Sequence, residues 1–267
     1  MKKLSFVKYH GTGNDFILID NRNNDFQLTD NEIQLICDRN FGVGSDGLIL
    51  LENAVGADFS MVFYNPDATK DMMCGNGGRC IVAFANSLGI IKNEAKFLAP
   101  DGMHYAEIIT NQDNKTNVKL SLLDTDKIVE YSDGQFLNTG TAHFISFVKD
   151  LSNFDVLTKG KEIRHDKRFQ DINGTNANFV EIISQCNLNI RTFERGVEGE
   201  TLACGTGITA SAIAYVDRYS LEQSPVIINA KGGVLKVYFK RTKENKYTDI
   251  FLEGLAEKTF EGVFYFN

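Results

Sequence analysis

Two cysteines open matching phrases 130 residues apart, Cys74-Gly75-Asn76-Gly77 and Cys204-Gly205-Thr206-Gly207. Each phrase leads into an apolar stretch that reads as a buried helix, Ile81 to Ala85 after the first and Ile208 to Val216 after the second. A cysteine at a helix start lies beside unpaired N–H groups and the positive end of the macrodipole, and both favour its thiolate. The glycines let the backbone approach a ligand closely. With an ordinary pKa of ~8.5 that is easily lowered, one thiol can be ionised while its partner keeps its proton. Such a pair suits inversion of an α-carbon, which requires a proton removed from one face and another supplied on the opposite face. One base would have to move around the substrate to do this, whereas two fixed groups need no such motion.

The repetition reaches beyond the cysteines. Asn65 ends the apolar run Phe59 to Tyr64 nine residues before Cys74, and Glu194 ends Leu188 to Phe193 ten residues before Cys204. Upstream, Thr12-Gly13-Asn14-Asp15-Phe16-Ile17 resembles Thr139-Gly140-Thr141-Ala142-His143-Phe144, and the glycine-to-cysteine intervals are 61 and 64 residues. Order and spacing both repeat, which implies two homologous halves with one cysteine each. We expect an N-terminal half over 1–125 and a C-terminal half over 126–256, with residues 257–267 returning to the first. The polar stretch Leu123-Asp124-Thr125-Asp126 is the expected link.

The elements that must hold these residues are mostly strands. Runs rich in β-branched and aromatic residues and bounded by Gly, Asn and Asp fall at 4–9, 16–20, 48–51, 59–64, 118–122, 144–148, 179–183, 226–229 and 234–239. Thr29 and Glu32 have capping-box spacing before Ile33, Ile36 and Cys37, and 155–164 is a further helix candidate. The two post-cysteine helices are apolar nearly all round and so should be enclosed. The expected fold class is α+β, with two pseudo-symmetric domains, each a curved, mainly antiparallel sheet wrapped around a central helix; alternating βαβ patterning is not evident.

Composition bounds the remainder. A chain of 267 residues with 43% hydrophobic residues is long enough for two cores, and a net charge of −7 argues against a nucleic-acid partner. No apolar run nears 18 residues, so no membrane association is expected, and five cysteines without framework spacing point to a cytoplasmic location. Gly42-Val43-Gly44-Ser45-Asp46-Gly47 and Gly205-Thr206-Gly207-Ile208-Thr209-Ala210 fit dinucleotide-binding spacings, but neither sits between a hydrophobic strand and a helix with a following acidic residue. Neither C-x-x-C nor H-E-x-x-H occurs, so no metal is expected. Cys37, Cys80 and Cys186 read as small core hydrophobes, and His10, His104 and His165 as ordinary strand or surface histidines. His143 stands apart because it follows the repeated Thr-Gly turn. A hydrolase with one cysteine nucleophile and His143 as base stays open at this stage, as does a redox protein. The hydrolase leaves the second phrase unexplained, and the redox reading would call for a local C-x-x-C.

Met73 to Cys80 and the run Glu194-Arg195-Gly196-Val197-Glu198-Gly199-Glu200-Thr201-Leu202-Ala203-Cys204-Gly205-Thr206-Gly207 resemble the two signature motifs of the diaminopimelate epimerase family. The opening Lys8-Tyr9-His10-Gly11-Thr12-Gly13-Asn14-Asp15-Phe16 is similar to that family's N-terminus, and the resemblance runs nearly end to end. It implies an isomerase that needs no cofactor and interconverts LL- and meso-2,6-diaminopimelate, a small-molecule substrate, in lysine and peptidoglycan precursor biosynthesis. It implies Cys74 and Cys204 as the acid/base pair, with His143 and Glu194 beside them. Asn14, Asn65, Asn176, Glu194 and Arg195 match substrate-binding positions, and the backbone at Gly75, Asn76, Gly205 and Thr206 matches the amides that hold the reacting carboxylate. The family usually places Pro before the histidine, where Ala142 stands here, and Gly47 replaces a glutamine found in some members. A racemase for proline or hydroxyproline is the alternative, against which Arg195 with Asn65 and Asn176 discriminates. Oligomeric state is not set by these residues, and a homodimer is allowed for.

Overall fold

The computed structural model describes residues 2–70, 73–125, 127–244 and 246–266. The chain divides into two compact units, one running to Leu120 and resuming at Gly254, the other spanning Ser121–Glu253. Asp126, part of the expected link, lies outside the described residues, and Leu123 to Thr125 belong to the second unit.

In the first unit, β1 (Lys2–Gly11) turns back into β2 (Asn14–Asp20) through Thr12 and Gly13, both at positive φ (54° and 85°), the hairpin geometry that glycine eases. Helix α1 (Asp30–Cys37) carries the expected capping box: Thr29 N–H donates to Glu32 Oε2 at 2.8 Å, and Glu32 N–H to Thr29 Oγ1 at 3.4 Å. There follow β3 (Gly47–Glu52), β4 (Phe59–Tyr64), α2 (Gly75–Ser87), β5 (Glu94–Ala99), β6 (Gly102–Gln112) and β7 (Lys115–Ser121). The strands pair in chain order, parallel at β2·β3 and β4·β5 and antiparallel elsewhere. Residues 254–266 lie antiparallel to both β7 and β1 and close the ring. Strand β2 is buried on both faces. Its Ile17 and Ile19 join Ile33 and Ile36 of α1 in an outer core, while Phe16 faces Gly77 of α2.

The second unit repeats this plan: β8 (Val129–Tyr131), β9 (Gly134–Asn138), β10 (Ala142–Phe147), α3 (Val156–Arg164), β11 (Asn176–Ser184), β12 (Asn187–Glu194), β13 (Gly199–Thr201), α4 (Gly205–Arg218), β14 (Val226–Ala230), β15 (Gly233–Arg241) and β16 (Tyr247–Phe266). The order β9–β10–β11–β12–β14–β15–β16 again has parallel pairs only at its second and fourth junctions, β10·β11 and β12·β14. Leu122 N–H donates to Ile250 O at 2.8 Å and Thr125 bridges Tyr247, so 122–125 runs along β16. Every residue from Gly75 to Ala85 in α2 is buried. In α4 every residue from Gly205 to Val216 is buried except Thr206, so each helix forms the centre of its unit.

Each unit is thus an α+β domain with a mainly antiparallel sheet around one enclosed helix. Four helices nevertheless join parallel strands, as β2-α1-β3, β4-α2-β5, β10-α3-β11 and β12-α4-β14. This corrects the expectation that βαβ patterning is missing. A parallel neighbour cannot be reached by a tight turn, so each such junction needs a crossover element. Cys186 is a second correction. It is half-buried in the β11–β12 turn with φ 58°, packs at the rim of the core, and donates to Gln223 Oε1 at 3.2 Å. His104 is a strand histidine of β6, fully buried and stacked on Phe97, with its Nε2 3.3 Å from Asp101 Oδ1.

Candidate active site

In the first unit Cys74 is the N-cap of α2 in extended backbone (φ −83°, ψ 127°), and its side chain does not cap the helix. Its Sγ–H donates to Asn14 Oδ1 at 3.6 Å. The orientation of Asn14 is fixed from both ends. Its Nδ2 donates to Asp46 Oδ2 at 2.8 Å, and its Oδ1 also accepts from Asn76 Nδ2 at 3.1 Å. Behind Asn76 stands Arg79, fully buried, donating to Gly75 O (3.0 Å), Asn76 Oδ1 (3.0 Å) and Thr12 Oγ1 (3.2 Å). Burial pulls the Arg79 guanidinium below its usual range, with the Cys80 and Cys74 sulfurs opposing. A buried cation is tolerated only with such partners, and these bonds pin the β1–β2 turn to the start of α2. Gly11 completes the fit, since a Cβ there would lie 2.9 Å from Asn76 O.

Asp46 itself belongs to a charged group with Arg39, Asp15 and Lys8. Arg39 reaches Asp15 at 2.7 Å and Asp46 at 2.6 Å, and the buried Lys8 pairs with Asp15 at 2.5 Å. Burial raises the Asp15 carboxyl, but Arg39 and Lys8 outweigh it and hold it below the usual carboxylate range. Sequence reasoning missed this group and Arg79. These residues stand far apart in the chain, at 8, 15, 39, 46 and 79, and only folding brings them together. Asn65 lies just past β4, where its Nδ2 donates to Thr69 Oγ1 at 3.1 Å. Cys80 is fully buried and burial drives its thiol upward, as a core residue requires.

In the second unit Cys204 is the N-cap of α4 (φ −113°, ψ 110°), again without a side-chain cap, and is 7% exposed. Its Sγ is 3.5 Å from Thr206 Oγ1. Thr206 Oγ1 is 2.9 Å from His143 Nε2 and 3.0 Å from Thr141 Oγ1, which lies 2.9 Å from the same Nε2. On its other side His143 Nδ1 is 3.1 Å from Asn178 Nδ2. The imidazole is fully buried, and desolvation, with Arg195's charge adding, pushes its pKa down to about 3. His143 is therefore neutral at neutral pH and acts through hydrogen bonds. Thr141, which stands before Ala142 in the departing run, takes part in this cluster. Asn178 and Thr192 also belong to it and were missed. The readable sign was period-two spacing, which puts Asn176 and Asn178 on one face of β11.

Asn176 donates from Nδ2 to Ala142 O at 2.9 Å and accepts the Arg195 N–H on Oδ1 at 2.8 Å. The Arg195 guanidinium reaches back to Ile172 O and Gly174 O, both at 3.2 Å. Glu194 is the half-buried last residue of β12, and its carbonyl accepts from Glu198 N–H at 2.9 Å. The first unit therefore brings together Asn14, Cys74, Gly75 and Asn76, and the second His143, Thr141, Cys204 and Thr206. Asn176 and Arg195 are joined beside the latter by register, since His143 and Asn176 are paired across β10·β11. Among the described residues no cluster of three metal-ligating side chains occurs. No helix there is long and apolar enough to cross a membrane.

Two repeated α+β units place the chain in a class of folds already solved. It superposes on the Bacillus anthracis phenazine biosynthesis protein of the PhzF family with a TM-score of 0.78, covering all of both chains at 16% identity. It superposes on the Agrobacterium vitis hydroxyproline epimerase with a TM-score of 0.73, covering 99% of this chain and 91% of that one at 12% identity. Likeness at these identities speaks for the fold alone. The family is fixed by sequence. The diaminopimelate epimerase family model matches residues 6–124 and 135–258. The Flavobacterium psychrophilum diaminopimelate epimerase is 47% identical over 97% of this chain and 99% of its own, and the Chlorobaculum tepidum enzyme 42% identical over 94% and 98%. The chain belongs to the diaminopimelate epimerase family.

Proposed function

We propose that this protein interconverts LL- and meso-2,6-diaminopimelate without a cofactor, as a cytoplasmic step towards lysine and peptidoglycan precursors, with Cys74 and Cys204 as acid and base. The carrying observation is the placement of both sulfurs. Each is the N-cap of its unit's enclosed helix, in extended backbone, at the same point of a repeated strand order. One thiolate takes the α-proton and the other thiol returns a proton to the opposite face; in reverse, the roles exchange. General acid/base action supplies ~10²–10⁴-fold, too little alone for so weak a carbon acid.

The remainder comes from charge stabilisation. As the proton leaves, the substrate carboxylate gains enediolate character, and the first-turn amides at Gly75, Asn76, Gly205 and Thr206 face developing negative charge of that kind. One preorganised donor of this sort can be worth ~2.7–4 kcal/mol. Arg195, with its backbone held by Asn176, offers a guanidinium to the distal carboxylate. Glu194 takes an ammonium group, and Asn14 and Asn65 supply amide contacts. In D₂O the enzyme should place deuterium on the inverted carbon of diaminopimelate. Epimerisation with full retention of the original hydrogen would defeat the two-thiol scheme.

A further inference from the structure

The two units place unlike residues at matching points beneath their central helices. In the first, Phe16 pairs with Gly47, and Ile49, two residues on, pairs with Phe63. In the second, His143 pairs with Asn176, and Asn178, two residues on, pairs with Thr192. Gly77 of α2 rests on Phe16 and Ile49, and Gly207 of α4 rests on His143 and Asn178. Thus Phe16, Ile49 and Phe63 correspond to His143, Asn178 and Thr192. Apolar packing fills this position well in one unit, so the fold itself does not demand the polar chain in the other. Burying three polar side chains is costly unless each is hydrogen-bonded, and these are fully bonded.

The bonds determine where the hydrogens lie. Asn178 Nδ2 donates to Phe144 O at 3.2 Å and its Oδ1 accepts the Thr192 hydroxyl at 3.0 Å, so the amide cannot be turned over. Its second N–H then points at His143 Nδ1, which must accept, and the single proton of the neutral ring sits on Nε2. That nitrogen can accept nothing from Thr141 or Thr206. Those hydroxyls bring two hydrogens but only one contact between themselves, so one hydrogen is left over. Thr206, which is 3.5 Å from the sulfur, can give it to Cys204.

We infer that Asn178, braced by Thr192, is a positioning residue that locks the proton of His143 on Nε2 and thereby keeps the Thr206 hydroxyl hydrogen available to a Cys204 thiolate. The inference rests on the two-cysteine reading of the site. It also separates the two sulfurs. Cys74 donates to the carbonyl oxygen of an amide whose other end is held by Asp46. Cys204 faces a donor.

The test is nitrogen NMR of histidine-labelled protein, joined to alkylation by iodoacetamide as pH rises, read cysteine by cysteine by mass spectrometry. The wild-type protein should show His143 protonated at Nε2. Asn178→Leu should release the tautomer and raise the alkylation midpoint of Cys204 by about one pH unit, the scale of one hydrogen bond to a charged group, with Cys74 unmoved. Should that variant fail to fold, Thr192→Val decides. It should shift the tautomer and Cys204 the same way by less, and Thr192→Ser should restore both. A His143 proton found on Nδ1 in the wild type, or variants that leave both readouts unchanged, would overturn the inference. Neither readout needs substrate. An inactive wild type with the Nε2 tautomer would therefore sink the proposed function and spare this relay, and an active one with the Nδ1 tautomer would do the reverse.

Discussion

His143 occupies a position where a charge is too costly, and stability should record that. Its pKa stands near 3 in the fold, against an ordinary 6.5, because burial penalises the cation. The unfolded chain therefore binds a proton that the folded one refuses as pH drops below about 6.5. Stability from this residue is complete above that value and declines by ~1.4 kcal/mol per pH unit down to about 3. Urea unfolding should show this slope as the difference between the wild type and His143→Gln over that window. Identical slopes would mean the ring is not buried neutral. At the same scale, Cys74→Ala and Cys204→Ala should each cut epimerisation by ~10²–10⁴-fold or more in a coupled assay, since each removes one proton-transfer partner. A single variant with wild-type turnover would strike that cysteine from the mechanism. The cysteines were legible because a rare residue recurs in one frame. Arg79 and Asn178 were not, because a lone arginine after Gly-Gly and an asparagine in a strand acquire meaning only from the neighbours that folding brings.

The helix starts differ in tolerance although their sequences match. A Cβ at Gly77 would meet Ile49 Cδ1 at 3.1 Å, Met61 Cε at 3.4 Å and Phe16 Cζ at 3.5 Å, the outer atoms of apolar side chains. One at Gly207 would lie 2.4 Å from Asn178 Oδ1 and 3.1 Å from His143 Cε1, groups bonded on both sides and unable to withdraw. Gly77→Ala should accordingly leave stability within about 1 kcal/mol of wild type, because the helix gains in propensity what the contacts lose. Gly207→Ala should cost about 1–3 kcal/mol and depress activity along with it. Parallel denaturant melts check this, and equal losses at the two sites would contradict the stated difference in packing. Elements themselves were readable where β-branched and aromatic residues dominate, as in β4. Strand β5 was passed over because Glu94-Ala95-Lys96-Phe97-Leu98-Ala99 is made largely of residues depleted in strands, although Ala95, Phe97 and Ala99 alternate inward. The long β16 was hidden by its charged residues Glu253, Glu257, Lys258 and Glu261, which interrupt the apolar pattern.

Over the whole molecule, the repeat that the two cysteine phrases announced extends to strand order, to the placing of parallel pairs, and to the Asn65 and Glu194 positions. Leu48 pairs with Tyr64 as Ala177 pairs with Phe193, so the next residues correspond. The sequence suggested that residues 257–267 return to the first half, but it named neither a strand there nor the strands it would pair. The closing strand of the first ring comes from residues 254–266, which pair Leu4 with Phe264 and Val118 with Gly254, add Phe266 to the core of Leu4, Ile17 and Ile33, and bond Thr259 Oγ1 to Lys8 O at 3.0 Å. No local pattern announces a partner more than a hundred residues away. Deleting residues 254–267 should leave β1 and β7 as open edges with unpaired backbone groups, a form prone to association. Hydrogen exchange read by mass spectrometry should then show β1 and β7 amides losing protection, while β10, β11 and β12 keep theirs because their own ladder is intact. A synthetic peptide of residues 254–267 should return protection to β1 and β7 by filling the vacated place. If those two strands stay protected in the truncated protein without the peptide, the ring does not depend on that strand, and the first unit owes its order to α2 and the remaining ladder alone.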